Sequence, residues 1–96
     1  MILDFTGPMW YWRGPAPHYF ISVPEEQVDA LKAISKRVTY GWGMIPVQVQ
    51  IGKSSWKTSL WPKDGRYIVP IRANIRQKEH LEEGAEIAVT LSVDVH

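Results

Sequence analysis

Phe20-Ile-Ser-Val-Pro24 and Arg66-Tyr-Ile-Val-Pro70 decide the fold. Each is a short apolar run closed by a proline, and each leads into a helical pattern and then a strand pattern. After Pro24, the residues Val28, Leu31, Ile34 and Val38 recur at helical spacing and make one apolar stripe. Proline suits a first turn, Glu25 and Glu26 sit at the positive end of the helix dipole, and Lys36 and Arg37 sit at the negative end. The reading is an amphipathic helix over residues 24–37. After Pro70 a shorter helix fits Arg72 to His80, with Ala73, Ile75 and Leu81 turned inward. The strands that close the two halves alternate cleanly. Ile45, Val47, Val49 and Ile51 face one way, against Pro46, Gln48 and Gln50. Ala85, Ile87, Val89, Leu91 and Val93 do the same against Glu86, Ala88, Thr90, Ser92 and Asp94.

The rest of the chain fits around these halves. Ile2 to Phe5 reads as a first strand that Gly7-Pro8 punctuates, and Trp10-Tyr11-Trp12 as another, with both indoles on one face. Gly14-Pro15-Ala16-Pro17 is a turn, and His18 to Val23 a further strand. Gly52-Lys53-Ser54-Ser55 marks a hairpin, and Trp56, Thr58 and Leu60 return from it. Pro62-Lys63-Asp64-Gly65 marks a second turn, in which proline presets φ and glycine accepts a positive φ. Two strand–proline–helix–strand halves and six or seven short strands predict a mainly β fold. The expected architecture is a pseudo-twofold β-barrel with two helices, one domain over residues 1–96.

Composition limits the function. The 96 residues carry 11 Lys and Arg against 10 Asp and Glu, a formal net charge of +1, so neither a polybasic arm nor an acidic tail is the main device. Cysteine is absent, which excludes disulfides, a thiolate nucleophile and cysteine-based metal sites. Hydrophobic content of 45% excludes a disordered chain. Asp4 breaks the apolar start, and no run approaches 18 apolar residues, so neither a signal peptide nor a membrane span is expected. The expected location is the cytoplasm.

No catalytic motif appears. His18, His80 and His96 lie at no ligand spacing, and G-x-S-x-G is missing. Gly41-Trp42-Gly43 does not make a phosphate loop. No catalytic residue, metal or cofactor is assigned. The turn holding Lys63, Asp64, Gly65 and Arg66 offers two cations beside exposed backbone N–H groups, a concave anion site. Its simpler reading is a turn whose Asp64 pairs Arg66. The five tryptophans would bury on the order of 1,000 Å², too much to leave exposed, so they fill the barrel core or wall a site. An aromatic core is the simpler of these two. The candidate ligand-binding set is Trp12, Arg13, His18, Trp42, Trp61, Lys63, Asp64 and Arg66.

Four segments resemble a known family: Tyr19–Pro24 (YFISVP), Thr39–Val47 (TYGWGMIPV), Ser59–Arg72 (SLWPKDGRYIVPIR) and Leu81–Leu91 (LEEGAEIAVTL). The chain is similar, from about Phe5 to Val93, to the bacterial family called domain of unknown function 1905. That resemblance implies a double-split β-barrel, the architecture of AbrB/MazE-type domains, whose strand–proline–helix–Leu-x-x-Gly–strand unit is similar to Tyr67 through Pro70, Leu81 and Gly84. It implies no established activity and carries over no catalytic residue. The leading expectation is a non-enzymatic ligand-binding or interaction module with an anion-recognition face of Trp and Arg. Its partner is an unknown small molecule or protein, and the chain a monomer or homodimer. AbrB-like DNA binding is the alternative, with nucleic acid not favoured by the near-neutral charge. An enzyme relying on Asp64 or His18 is the third.

Overall fold

The computed structural model describes residues 1–15, 17–38 and 43–93. In chain order the elements are β1 (Ile2–Trp12), β2 (His18–Ser22), α1 (Glu25–Val38), β3 (Ile45–Ile51), β4 (Ser54–Lys63), β5 (Arg66–Ile71), α2 (Ala73–Lys78) and β6 (Glu86–Ser92). The strands close into a barrel in the order β1-β2-β5-β4-β3-β6, and every pairing is antiparallel. Exchanging the first half (β1, β2, α1, β3) with the second (β4, β5, α2, β6) leaves this ring unchanged. β2 meets β5, β3 meets β6, and β1 and β4 bridge between these two pairs. The expected pseudo-twofold barrel with two helices is therefore present.

Alternation builds the interior. Ile45, Val47, Val49 and Ile51 of β3 are buried, as are Ile87, Val89 and Leu91 of β6, while their neighbours point outward. Val28, Leu31 and Ile34 bring the apolar stripe of α1 into the same core, and α1 lies against β3 and β5. The side chains of Lys36, Arg37 and Val38 lie outside the described residues.

Several boundaries differ from expectation, each for a physical reason. β1 runs unbroken through Gly7-Pro8. Pro8 is the last residue of β1 registered with β6, and Met9 the first registered with β2. The proline thus lacks its N–H at the point where the strand changes partners. Pro62 and Lys63 belong to β4, beyond Leu60, its last residue registered with β3. The turn is only Asp64-Gly65, with φ of 52° and 78°, the left-handed pair that a tight hairpin needs. The first hairpin likewise turns on Gly52-Lys53, and Ser54 already belongs to β4. α2 spans Ala73–Lys78 rather than residues 72–80, and Ala73 is exposed while Ile75 enters the core. β6 starts at Glu86 and ends at Ser92; Asp94 lies outside the described residues. The two prolines do not play one role. Pro24 directly precedes α1, whereas Pro70 lies inside β5 opposite Phe20.

A carboxylate ties the second half to the first hairpin. The buried Ser54 hydroxyl donates to Glu79 Oε2 at 2.6 Å. This bond, aided by the Lys53 backbone and by Lys78 and His80, holds the Glu79 carboxyl below its ordinary value. A Cβ on Gly52 would strike the Glu79 carboxylate, whereas one on Gly65 would meet nothing within 4 Å. Both glycines have positive φ. Gly65→Ala is expected to cost about 1–2 kcal/mol, the cost of a left-handed side chain. Gly52→Ala is expected to cost more by urea denaturation, and the excess should vanish when Glu79→Ala is added.

Candidate functional site

β2 and β5 are buried on both faces. Ile21 of β2 and Tyr67, Val69 and Ile71 of β5 face the barrel interior. Phe20, Ile68 and Pro70 have the opposite parity, yet Phe20 is fully buried, and Ile68 and Pro70 are buried too. A second apolar layer covers them from outside. β1 supplies Trp10 and Trp12, set opposite in parity to the core residue Met9. β4 supplies Trp61, set opposite to the core residue Leu60. β2 supplies His18 at its first position.

Phe20 is the hub of this layer. Its ring centroid lies 5.4 Å from Trp10, 5.7 Å from Trp12, 5.4 Å from His18 and 5.1 Å from Trp61. Trp12 and Trp61 meet edge to face at 6.3 Å. All these contacts are tilted or edge-on, the arrangements favoured by ring quadrupoles. The Trp10 indole N–H donates to Ser22 Oγ at 3.0 Å, so that polar tip is satisfied. Trp10, Trp12, His18 and Trp61 stay half-buried and present ring surface to solvent. Gly14 lies against the Trp12 indole, where a Cβ would collide with the ring. The turn therefore needs glycine in order to fold back over Trp12.

The expected site residues fall into three groups. Trp12, His18, Trp61 and Lys63 come together. Lys63 Nζ stands 5.0 Å above the Trp12 ring, a cation–π contact, and also pairs Asp64 Oδ2 at 3.2 Å. Asp64 thus pairs Lys63 in place of the expected Arg66. Arg66 flanks the layer. Arg66 is registered with Lys63, and its Nη2 donates to the Val23 carbonyl at 3.2 Å. That bond takes one of the five guanidinium N–H groups. Arg13 is exposed and directly follows Trp12. Trp42 lies outside the described residues. Trp56 is the tryptophan that joins the interior, with 8% of its surface exposed, so the aromatic core reading holds for it and not for Trp10, Trp12 or Trp61.

Trp10 and Phe20 were not in the expected set. Trp10 shares the parity of Trp12. Phe20-Ile21 is a pair of consecutive large apolar residues, one of which has to face away from a barrel interior. An open hollow of about 430 Å³ lies elsewhere, lined by Asp4, Thr6, Gln50 and Thr90 among others, and it contains none of the expected site residues. Its Thr90 hydroxyl donates to Asp4 Oδ1 at 2.6 Å. Among the described residues no three His, Cys, Asp or Glu side chains gather as a metal cage. Among them, no helix is long and apolar enough to cross a membrane.

Burial pushes the His18 imidazole below its ordinary 6.5, and the Arg76 guanidinium adds to the effect. The unfolded chain then takes up the His18 proton before the folded chain does. The contribution of His18 to stability is complete above pH 6.5 and is lost as pH falls through its folded value. Acidification from pH 7 to 5 is expected to lower the urea midpoint, and His18→Gln should remove part of that slope. Glu79 acts at lower pH, because its contribution is lost only below the ordinary carboxylate value of 4.5.

No curated protein matches the chain. A family model covers residues 5–91, which takes in both helices, every strand but the outer ends of β1 and β6, and every member of the outer aromatic layer. The chain therefore belongs to the family described as Domain of unknown function (DUF1905).

Proposed function

We propose that the chain is a non-catalytic recognition module working through the outer face of β1-β2-β5-β4. The observation that supports this reading is the position of the indoles. Trp10, Trp12 and Trp61 lie outside the barrel and half-buried, although the interior is already filled by Trp56, Tyr67 and aliphatic residues. Covering Phe20 accounts for their inner surfaces. Their outer surfaces remain solvated apolar area, which is a cost to a free protein and a source of binding energy for one that docks a ligand.

The chemistry of the face selects the ligand. Half-exposed rings favour a planar group, and Lys63 above Trp12, with Arg66 registered beside it, favours negative charge. The Asp64 carboxylate competes for Lys63. Its side chain is 85% exposed, so water screens that pair and an anionic ligand displaces it at little cost.

Naphthalene-2-sulfonate, a planar anion, tests the reading. In a ¹⁵N-correlated titration the indole N–H signals of Trp12 and Trp61 are expected to shift, while that of the interior Trp56 stays still. Lys63→Glu should weaken binding about tenfold and leave the circular dichroism spectrum unchanged. Shifts confined to Trp56 or to the Asp4–Thr90 hollow, or no shifts at millimolar probe, would overturn it.

A further inference from the structure

A formal charge of +1 does not show where individual cations lie. Lys57, Lys63, Arg66 and Arg72 all lie on the outer side of β4 and β5 or at their ends. Lys57 and Lys63 share the parity of Trp61, and Arg66 shares that of Ile68. Arg72 directly follows β5, and its Nη2 donates to the Lys57 carbonyl at 3.1 Å, which brings its guanidinium over β4. Asp64 pairs Lys63 at one end of this group. Of the other described acids, Asp4 lies on β1 opposite β6 and Glu82, Glu83 and Glu86 lead into β6, while Glu79 reaches the start of β4 at Ser54, and Glu25 and Glu26 open α1 just beyond the Val23 carbonyl that Arg66 holds. Composition averages these regions to near neutrality. The fold brings these four cations to one side of the barrel.

The cations form a track and not a cluster. Lys57 and Lys63 are six positions apart on one strand, about 20 Å at strand rise. The half-exposed rings of Trp12, His18 and Trp61 lie on the same outer surface. Cations spaced along a strand beside stacking rings suit a flexible polyanion whose planar groups recur between its charges. Single-stranded nucleic acid has that repeat. A duplex buries its bases against each other and offers no free face to an indole.

We infer that the outer face of β1-β2-β5-β4 binds single-stranded nucleic acid, with bases stacked on Trp12 and Trp61 and phosphates on Lys63, Arg66, Lys57 and Arg72. This rests on the recognition face proposed above and names its occupant. The occupied length is about four nucleotides, the low end for a small barrel. Each arginine retains free N–H donors for a phosphate after its one backbone bond. The low total charge limits non-specific attraction, so affinity depends on this face and falls with salt.

Fluorescence anisotropy with labelled dT12 and rU12, read from 50 to 200 mM salt, tests the assignment. Four phosphate contacts on a single strand predict a log–log slope of about −2.8, a loss of about 50-fold across that range. The double variant Lys57→Glu/Lys63→Glu should reduce the slope by about 1.4 and weaken binding at least tenfold, with an unchanged circular dichroism spectrum. Trp61→Phe, which keeps a ring over Phe20, should weaken binding several-fold without altering the slope. A twelve-base-pair duplex should bind more weakly than either single strand. Absence of oligonucleotide binding at 100 µM protein in 50 mM salt overturns the inference. So does binding of poly-glutamate without oligonucleotide, which would make the partner an acidic protein segment. In either case a retained naphthalene-2-sulfonate response leaves the recognition face standing, and its loss removes both.

Discussion

A closed ring of strands has one inside, and side chains on a strand alternate with a period of two. Half of every strand must therefore face outward, with no second sheet to receive it. On β3 and β6 the outward residues are polar or small, and water suffices. On β2 and β5 they are Phe20, Ile68 and Pro70, and water does not suffice. Everything distinctive about this molecule follows from that second case. Three indoles and an imidazole from three strands converge to cover Phe20, and the barrel acquires an aromatic layer on one outer side only.

That layer links stability to the recognition proposed above. Its inner surface is packed as a small core, with ring centroids 5.1 to 5.7 Å from Phe20. Its outer surface is solvated and rimmed by Lys63 and Arg66. The Gly14 turn closes over Trp12, and Ser22 satisfies Trp10, so the rings are held in place before any ligand arrives. Rings already fixed lose little side-chain entropy on binding. The rest of the chain supplies rigidity from a distance. α1 fills the interior, and the Ser54–Glu79 bond fastens the end of α2 to the first hairpin.

Much of this was legible in the residues, and the illegible part has a common cause. The alternation of Ile45–Ile51 and of Ile87–Leu91 needs only one apolar face, and it marked β3 and β6 correctly. The stripe of Val28, Leu31 and Ile34 marked α1. Gly7-Pro8 and Pro62 misled because proline usually ends a strand. Here each sits where a strand gains or loses a partner, so its missing N–H costs nothing that the sequence could reveal. Placing Pro62 and Lys63 in a turn also hid the fact that Trp56 and Trp61, five positions apart, point to opposite sides of β4. Of the expected site residues, Trp12, His18, Trp61 and Lys63 could be gathered only by register across four strands.

By itself the sequence determined the period of each element, the two repeated halves and the shared face of Trp10 and Trp12, because these depend on neighbours within one strand or one helical turn. Tertiary structure alone decided which face of β1 and β4 is the inside, and with it that Trp56 is core while Trp61 is surface. It also decided that cations distant in the chain share one side of the barrel. Those choices depend on how the ring closes, since an apolar residue carries no mark of which side its strand will turn inward.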